Sequence, residues 1–213
     1  MASRGRVASR LRVALTFDAE HPDRPGTPPD ATERILDALA SRGARATFFL
    51  QGRWVESQPA LAARMASDGH LIGSHSHYHA PMPLLSDRGI RFDVRAAASA
   101  IRKTTGVDPR PWFRCPFTAG EDDPRVVSVL SALGYRVVSQ HVVPRDWEPR
   151  ARVEDQVART LDGVRAHGDG AIVLLHGWPA ATAAALPTVL DRLAEHGATF
   201  VGVDEVEPAP SFR

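Results

Sequence analysis

The chain is poor in cysteine: Cys115 is the only one in 213 residues. An internal disulfide is therefore excluded, and nothing points to an oxidising compartment. Lysine is nearly absent too. Lys103 stands alone among arginines, a bias that reads as codon usage rather than chemistry. Charge of one sign is lacking, since 26 basic and 25 acidic residues leave a formal net charge of +1. A nucleic-acid or membrane-surface role driven by bulk charge is thereby set aside. Long apolar runs are missing as well. After a basic start, the first run covers only Val13 to Phe17 and ends in acids. That is too short for a signal-peptide core or a membrane span, so the expected location is the cytoplasm. No repeat, linker or low-complexity segment interrupts the chain.

What is present is an ordinary globular composition, 43% hydrophobic, with enough apolar surface for one domain. Short apolar runs alternate with amphipathic stretches. Strands are expected at 12–17, 46–50, 71–74, 112–114, 135–140, 171–175 and 199–203. Helices are expected at 30–41, 59–67, 87–105, 123–133, 153–166 and 183–195. Asp30 and Asp123 sit at cap positions, Pro59 and Pro124 in first turns, and Gly43, Gly106 and Gly134 just past helix ends. Seven strands alternating with helices imply an α/β fold, either a parallel sheet or a (β/α) barrel.

In such architectures function gathers at the C-terminal ends of strands. The ionisable residues of this chain gather there. The first strand runs out into Asp18, Glu20 and His21. The third runs into "SHSHYH", with His75, His77 and His79. The fourth ends at Arg114, the fifth leads to Asp146 and Trp147, and the sixth ends at His176. On a strand, all three clustered histidines would share a face. In a helical turn, His75 and His79 would meet and His77 would point away. The chain has just left a strand at Ser74, which favours the helical turn. Two histidines four apart plus a carboxylate from another strand end suit a divalent metal. Zn²⁺ is the best match to imidazole and carboxylate donors, with Co²⁺ or Mn²⁺ as substitutes.

In this order the motifs resemble those of the polysaccharide deacetylase family, carbohydrate esterase family 4. "TFDAE" is similar to its first block, "HSHYH" to its metal block, "RCPF" to its arginine block, "RDW" to its Asp-Trp block and "LLH" to its last block. The resemblance spans roughly 12–203. It implies a single-domain distorted (β/α) barrel over 12–206, with an N-terminal extension (1–11) and a C-terminal tail (207–213). It also implies a metal-dependent N-deacetylase acting on an N-acetylated sugar, soluble or polymeric, with no nucleic-acid partner.

Residue by residue, the resemblance assigns Asp18 as general base, held by Arg114, and His176 as general acid, paired with Asp146. His75 and His79 become metal ligands, and the Phe117 backbone N–H an oxyanion donor. Leu174 would contact the acetyl methyl, and Trp147 and Trp178 would flank the sugar. The chain departs from the family at Ala19, where the usual ligand is a second Asp. Glu20 is the expected replacement. The exchange of roles between Asp18 and Glu20 stays open, as does a site with two histidine ligands only. His77 and His21 read as structural or surface residues, and Cys115 as a packing residue. Two further readings remain: the same scaffold acting on a cyclic amide, ureide or other small N-acyl compound, and a non-catalytic carbohydrate binder.

Overall fold

The computed structural model describes residues 11–21, 23 and 27–207. The expected extension (1–11) and tail (207–213) fall outside these, apart from Leu11, which opens the first strand, and Glu207, which pairs with Arg136.

Seven parallel strands form one curled sheet: β1 (Leu11–Ala19), β2 (Thr47–Leu50), β3 (Leu71–Ser74), β4 (Trp112–Phe113), β5 (Arg136–Val137), β6 (Ala171–His176) and β7 (Ala198–Phe200). Their order is β5-β4-β3-β2-β1-β6, with β7 also on β1. β6 runs along one edge of β1 from Val13 to Asp18. On the other edge, β7 pairs with Leu11–Val13 and β2 with Thr16–Ala19. β1 is thus the central strand. The ring closes through a single parallel bridge, Val142 to Val173, where the chain leaving β5 meets β6. This is the distorted (β/α) barrel that the motif order implied.

Among the described residues eight helices surround it: α1 (Ala31–Ala40), α2 (Gly52–Ser57), α3 (Pro59–Ser67), α4 (Asp87–Thr105), α5 (Pro124–Ala132), α6 (Val153–His167), α7 (Ala180–Glu195) and α8 (Val203–Val206). α4 packs Ile90, Val94, Ala97 and Ile101 inward and stops at Gly106, whose φ of 74° is left-handed. Asp123 caps α5 by accepting from two backbone N–H groups, whereas Asp30 caps α1 by position only. None of the helices among the described residues is long and apolar enough to cross a membrane.

The main core lies between sheet and helices, around Phe17, Phe48, Leu50, Ile35 and Leu190. A second cluster, with Ala14, Phe49, Trp112, Val138 and Ile172, fills the barrel. Alternation along the strands continues this inner face upward. Above Ala14 come Thr16 and Asp18; above Ile172 come Leu174 and His176. The barrel is apolar at its floor and ionisable at its mouth.

Candidate active site

A cleft of about 410 Å³ opens at the C-terminal ends of the strands. Every residue expected to act in catalysis, metal binding or substrate contact lines it, except Asp146, which lies behind His176. Three groups converge there.

The first is a buried ion pair. Arg114 is 1% exposed, and its Nη1 donates to Asp18 Oδ1 at 3.1 Å and Thr16 Oγ1 at 2.6 Å. Its guanidinium also sits 4.2 Å from the centroid of the Phe49 ring. A charge at this depth is tolerated only with such partners.

The second group is a nest of imidazoles around Glu20. Glu20 Oε2 is 2.5 Å from His79 Nε2 and 3.2 Å from His75 Nε2. The two Nε2 atoms are 3.1 Å apart. Donors around a tetrahedral Zn²⁺ with bonds near 2.0–2.1 Å lie about 3.3 Å from one another, so the two separations from His75 Nε2 match a metal face, while the Glu20–His79 contact is a short hydrogen bond that a cation would open. His75 Nδ1–H donates to the Arg114 carbonyl at 2.9 Å. That bond sets the tautomer of the neutral ring, in which Nε2 carries the lone pair a cation would use. Burial opposes a charge on His75, but Asp18 and Glu20 raise its pKa. The same two carboxylates would draw a cation. Burial also opposes the charge on Glu20, yet bonds from His21, His75 and His79 hold its carboxyl well below the usual range. Asp18 Oδ2 stands further off, 3.7 Å from His75 Nε2.

The third group is a histidine–aspartate pair. Asp146 Oδ1 accepts from His176 Nδ1 at 2.8 Å, and Oδ2 accepts from the His176 backbone N–H and from Thr182 Oγ1, both at 2.7 Å. Burial lowers the His176 pKa, but Asp146 overrides it and the value rises to about 9. His176 Nε2 faces the cleft, 3.8 Å from Glu20 Oε1.

The loop bearing His75 and His79 is not the helical turn expected from the spacing. Residues 75–79 form no helix, and Ser76 (φ 61°) and His79 (φ 59°) are left-handed. The bent loop is held on both sides. Asp93 in α4 accepts from the backbone N–H groups of His77 and Tyr78, each at 2.9 Å. The α2 N-terminus donates from Gly52 to the Ser76 carbonyl and from Arg53 to the His77 carbonyl. Ser76 Oγ accepts from the His79 N–H at 2.9 Å. His75 and His79 still meet, and His77 turns away. Its ring lies against the bare Cα of Gly52, where a Cβ would come within 2.2 Å of Nδ1.

Three functional neighbours escape the sequence reading. His21, read as surface, joins Glu20 and His79 in a cluster of donor atoms within 4.8 Å of one another. Its Nε2 is 3.1 Å from Glu20 Oε1, and its own N–H donates to Gln51 Oε1. The signal was adjacency to Glu20 at a strand end. Asp93 shares the inward face of α4 with Ile90, Val94 and Ala97, and an acid at an apolar-stripe position was its signal. Thr182 is a buried hydroxyl in the first turn of α7; no local pattern marks it.

The rim fits the remaining expectations in place. Trp147 and Trp178 contact His176 with ring centroids 5.3 and 5.8 Å away. Phe117 packs on His79 at 4.5 Å with a left-handed φ of 57°. Cys115 is buried, and burial pushes its thiol up to about 12, which removes it as a nucleophile.

A parallel curled barrel whose mouth joins a buried carboxylate–arginine pair, a carboxylate–imidazole nest and a histidine–aspartate pair has the form of a metal-dependent hydrolase. The chain belongs to the polysaccharide deacetylase family, whose sequence pattern matches residues 6–138. That match carries Asp18 through Arg114 and stops short of Asp146 and His176. A chitooligosaccharide deacetylase of Azorhizobium caulinodans is 32% identical over 77% of this chain and 72% of its own length. A deacetylase solved with substrate has a TM-score of 0.80 and 30% identity, covering 97% of this chain and 95% of that one. A CE4 family pseudoenzyme from Bacillus anthracis, 27% identical, has a TM-score of 0.82 over 93% of this chain and 66% of its own.

Proposed function

We propose that the protein is an N-deacetylase that hydrolyses the acetamido group of an N-acetylated sugar, with Zn²⁺ as the fitting metal. The observation that carries this reading is the placement of a base pair and an acid pair on one cleft, with the Glu20–His75–His79 face between them. His75, His79 and Glu20 Oε2 would hold the cation, and Co²⁺ or Mn²⁺ could replace Zn²⁺. The cation supplies Lewis acidity, lowering the pKa of the attacking water and polarising the carbonyl.

The chain's own residues do the rest. Asp18, oriented by Arg114, takes the proton from water. Glu20 is the better ligand because its Oε2 faces both imidazoles, whereas Asp18 Oδ1 is committed to Arg114. The Phe117 N–H makes no hydrogen bond among the described residues. It is free to stabilise the developing oxyanion, a contribution on the order of 3 kcal/mol. His176, protonated by virtue of Asp146, delivers a proton from Nε2 to the departing amine. Leu174 lines the cleft as an apolar wall for the acetyl methyl, and Trp147 and Trp178 offer ring faces to the sugar.

The likeness to a pseudoenzyme, together with Ala19 in place of the usual ligand, favours a non-catalytic carbohydrate binder as the second reading. A retained acid and base argue for activity, since a binder needs neither. The test is release of acetate from N-acetylated oligosaccharides by metal-loaded protein, with small cyclic amides and ureides in parallel. Acetate release that disappears in His176→Ala supports the deacetylase. Sugar binding without hydrolysis supports the second reading, and turnover of the amides alone moves the substrate class.

A further inference from the structure

The formal charge of the chain nearly cancels, and on most of its surface it cancels locally. Arg42, Arg45, Arg64, Arg110 and Arg125 each have an acid within 4.0 Å, and so do most other described arginines. On the outer face of α4 this pattern fails. Arg88, Arg91 and Arg95 have no acid partner among the described residues, and they follow one another at helical spacing. With Asp87, whose carboxylate is paired to Arg125, they frame a depression of about 650 Å³ around Phe92, which is 65% exposed. Leu84, just before the α4 N-cap, is 81% exposed, and Tyr78 is 53% exposed.

We propose that this face docks on an anionic lipid surface. Arginine guanidiniums match phosphate headgroups in charge and geometry. Three unpaired arginines beside exposed Phe92 and Leu84 give the mixture of cations and apolar tips that settles at a membrane interface. A soluble polyanion would use the arginines but gain nothing from Leu84 and Phe92. The lipid surface is therefore the occupant that accounts for all of them. The attraction is local, so it is compatible with a net charge near zero. The same helix holds the His75–His79 loop through Asp93 on its opposite, inward face. The interface is peripheral and does not depend on the catalytic reading.

The test is co-sedimentation of the purified full chain with vesicles of phosphatidylcholine alone or mixed with phosphatidylglycerol. Binding is expected to the mixed vesicles only, and to be lost at 1 M salt, where the screening length is about 3 Å. Each basic side chain near such a surface is worth about five-fold in partitioning. The triple variant Arg88→Ser, Arg91→Ser, Arg95→Ser should therefore bind on the order of 100-fold more weakly, while melting at the same temperature as the parent. Phe92→Ser should weaken binding at constant charge. Equal binding to both vesicle types, or a triple variant that binds as the parent does, overturns the proposal. So does binding to soluble polyphosphate that competes vesicles away and is untouched by Phe92→Ser, which would assign the face to a soluble polyanion.

Discussion

Asp93→Asn isolates what holds the metal-binding loop. The carboxylate of Asp93 is 2% exposed and accepts two backbone N–H groups at 2.9 Å. Hydrogen bonds to a charged acceptor contribute about 1.5–3 kcal/mol each, and a buried donor left unpaired costs about 1–3 kcal/mol. Asn keeps one acceptor oxygen and presents an NH₂ group to the second N–H. One bond weakens and the other is lost, for a total of about 2–4 kcal/mol. Ser76 and His79 hold left-handed backbone conformations, each unfavourable by about 1–3 kcal/mol unless neighbours fix it. Loss of the Asp93 bonds therefore releases the loop that aims His79 at Glu20. Urea unfolding should move to a lower midpoint, by about 1 M for a protein with a slope of 2–3 kcal/mol/M. Zn²⁺ affinity, measured by competition with a chromophoric chelator, should fall about 10–100-fold, as for other outer-shell partners. An Asp93→Asn protein with the parent's urea midpoint and metal affinity would refute this account of the loop.

Further expectations follow from the cleft. His75→Ala and His79→Ala should each lose bound metal by elemental analysis, while His77→Ala, whose ring points at Gly52, should keep it; equal loss in all three would undo the assignment. Glu20→Gln should weaken Zn²⁺ about ten-fold, on the order of 1.4 kcal/mol, and Asp18→Asn should retain metal and lose turnover; the reverse result exchanges their roles. The acid must be protonated to act, so kcat/KM should fall as pH rises through the His176 pKa of about 9. Asp146→Asn removes the charge that raises it and should move that limb to lower pH; an unmoved limb removes Asp146 from the role. His21→Phe should weaken metal binding by freeing Glu20 Oε1, with His21→Gln restoring part of it; identical affinities in parent and Phe variant would reduce His21 to a wall of the cleft.

Where sequence and structure agree, a local rule decided the matter. The ends of α3 follow from Pro59 in its first turn, and α4 stops at Gly106 because glycine takes the left-handed conformation readily. The inner face of β1 and β6 follows from alternation, which also placed Asp18, Leu174 and His176 together. Where they differ, the cause is distant in sequence. α2 is six residues long and starts at a glycine, so propensity could not reveal it; it is stabilised by burying Trp54 and Val55 and by donating to the 76–77 carbonyls. The apolar run at 135–140 forms only two residues of regular strand, because the chain then swings across to pair Val142 with β6. The four-residue histidine spacing brought the right imidazoles together for a different reason. Asp93, 16 positions further on than His77, bends the loop that a helical turn was expected to make.

The central place of β1 bears on how the chain can be made. Among the described strands β1 leaves the ribosome first, and its neighbours β6 and β7 come last, with register partners 158 (Val13–Ala171) and 187 (Leu11–Ala198) residues further on. Until they arrive, one full edge of an apolar strand is open to pairing with other chains. Asp18 is likewise without the His176 neighbour that its register assigns it. Synthesis thus delivers the Asp18 side of the cleft early and the His176 side late. A product ending near residue 138, where the family pattern ends, would carry most of the recognisable motifs. It would also have an uncovered sheet edge and lack both Asp146 and His176: a fragment prone to aggregate, with half a cleft.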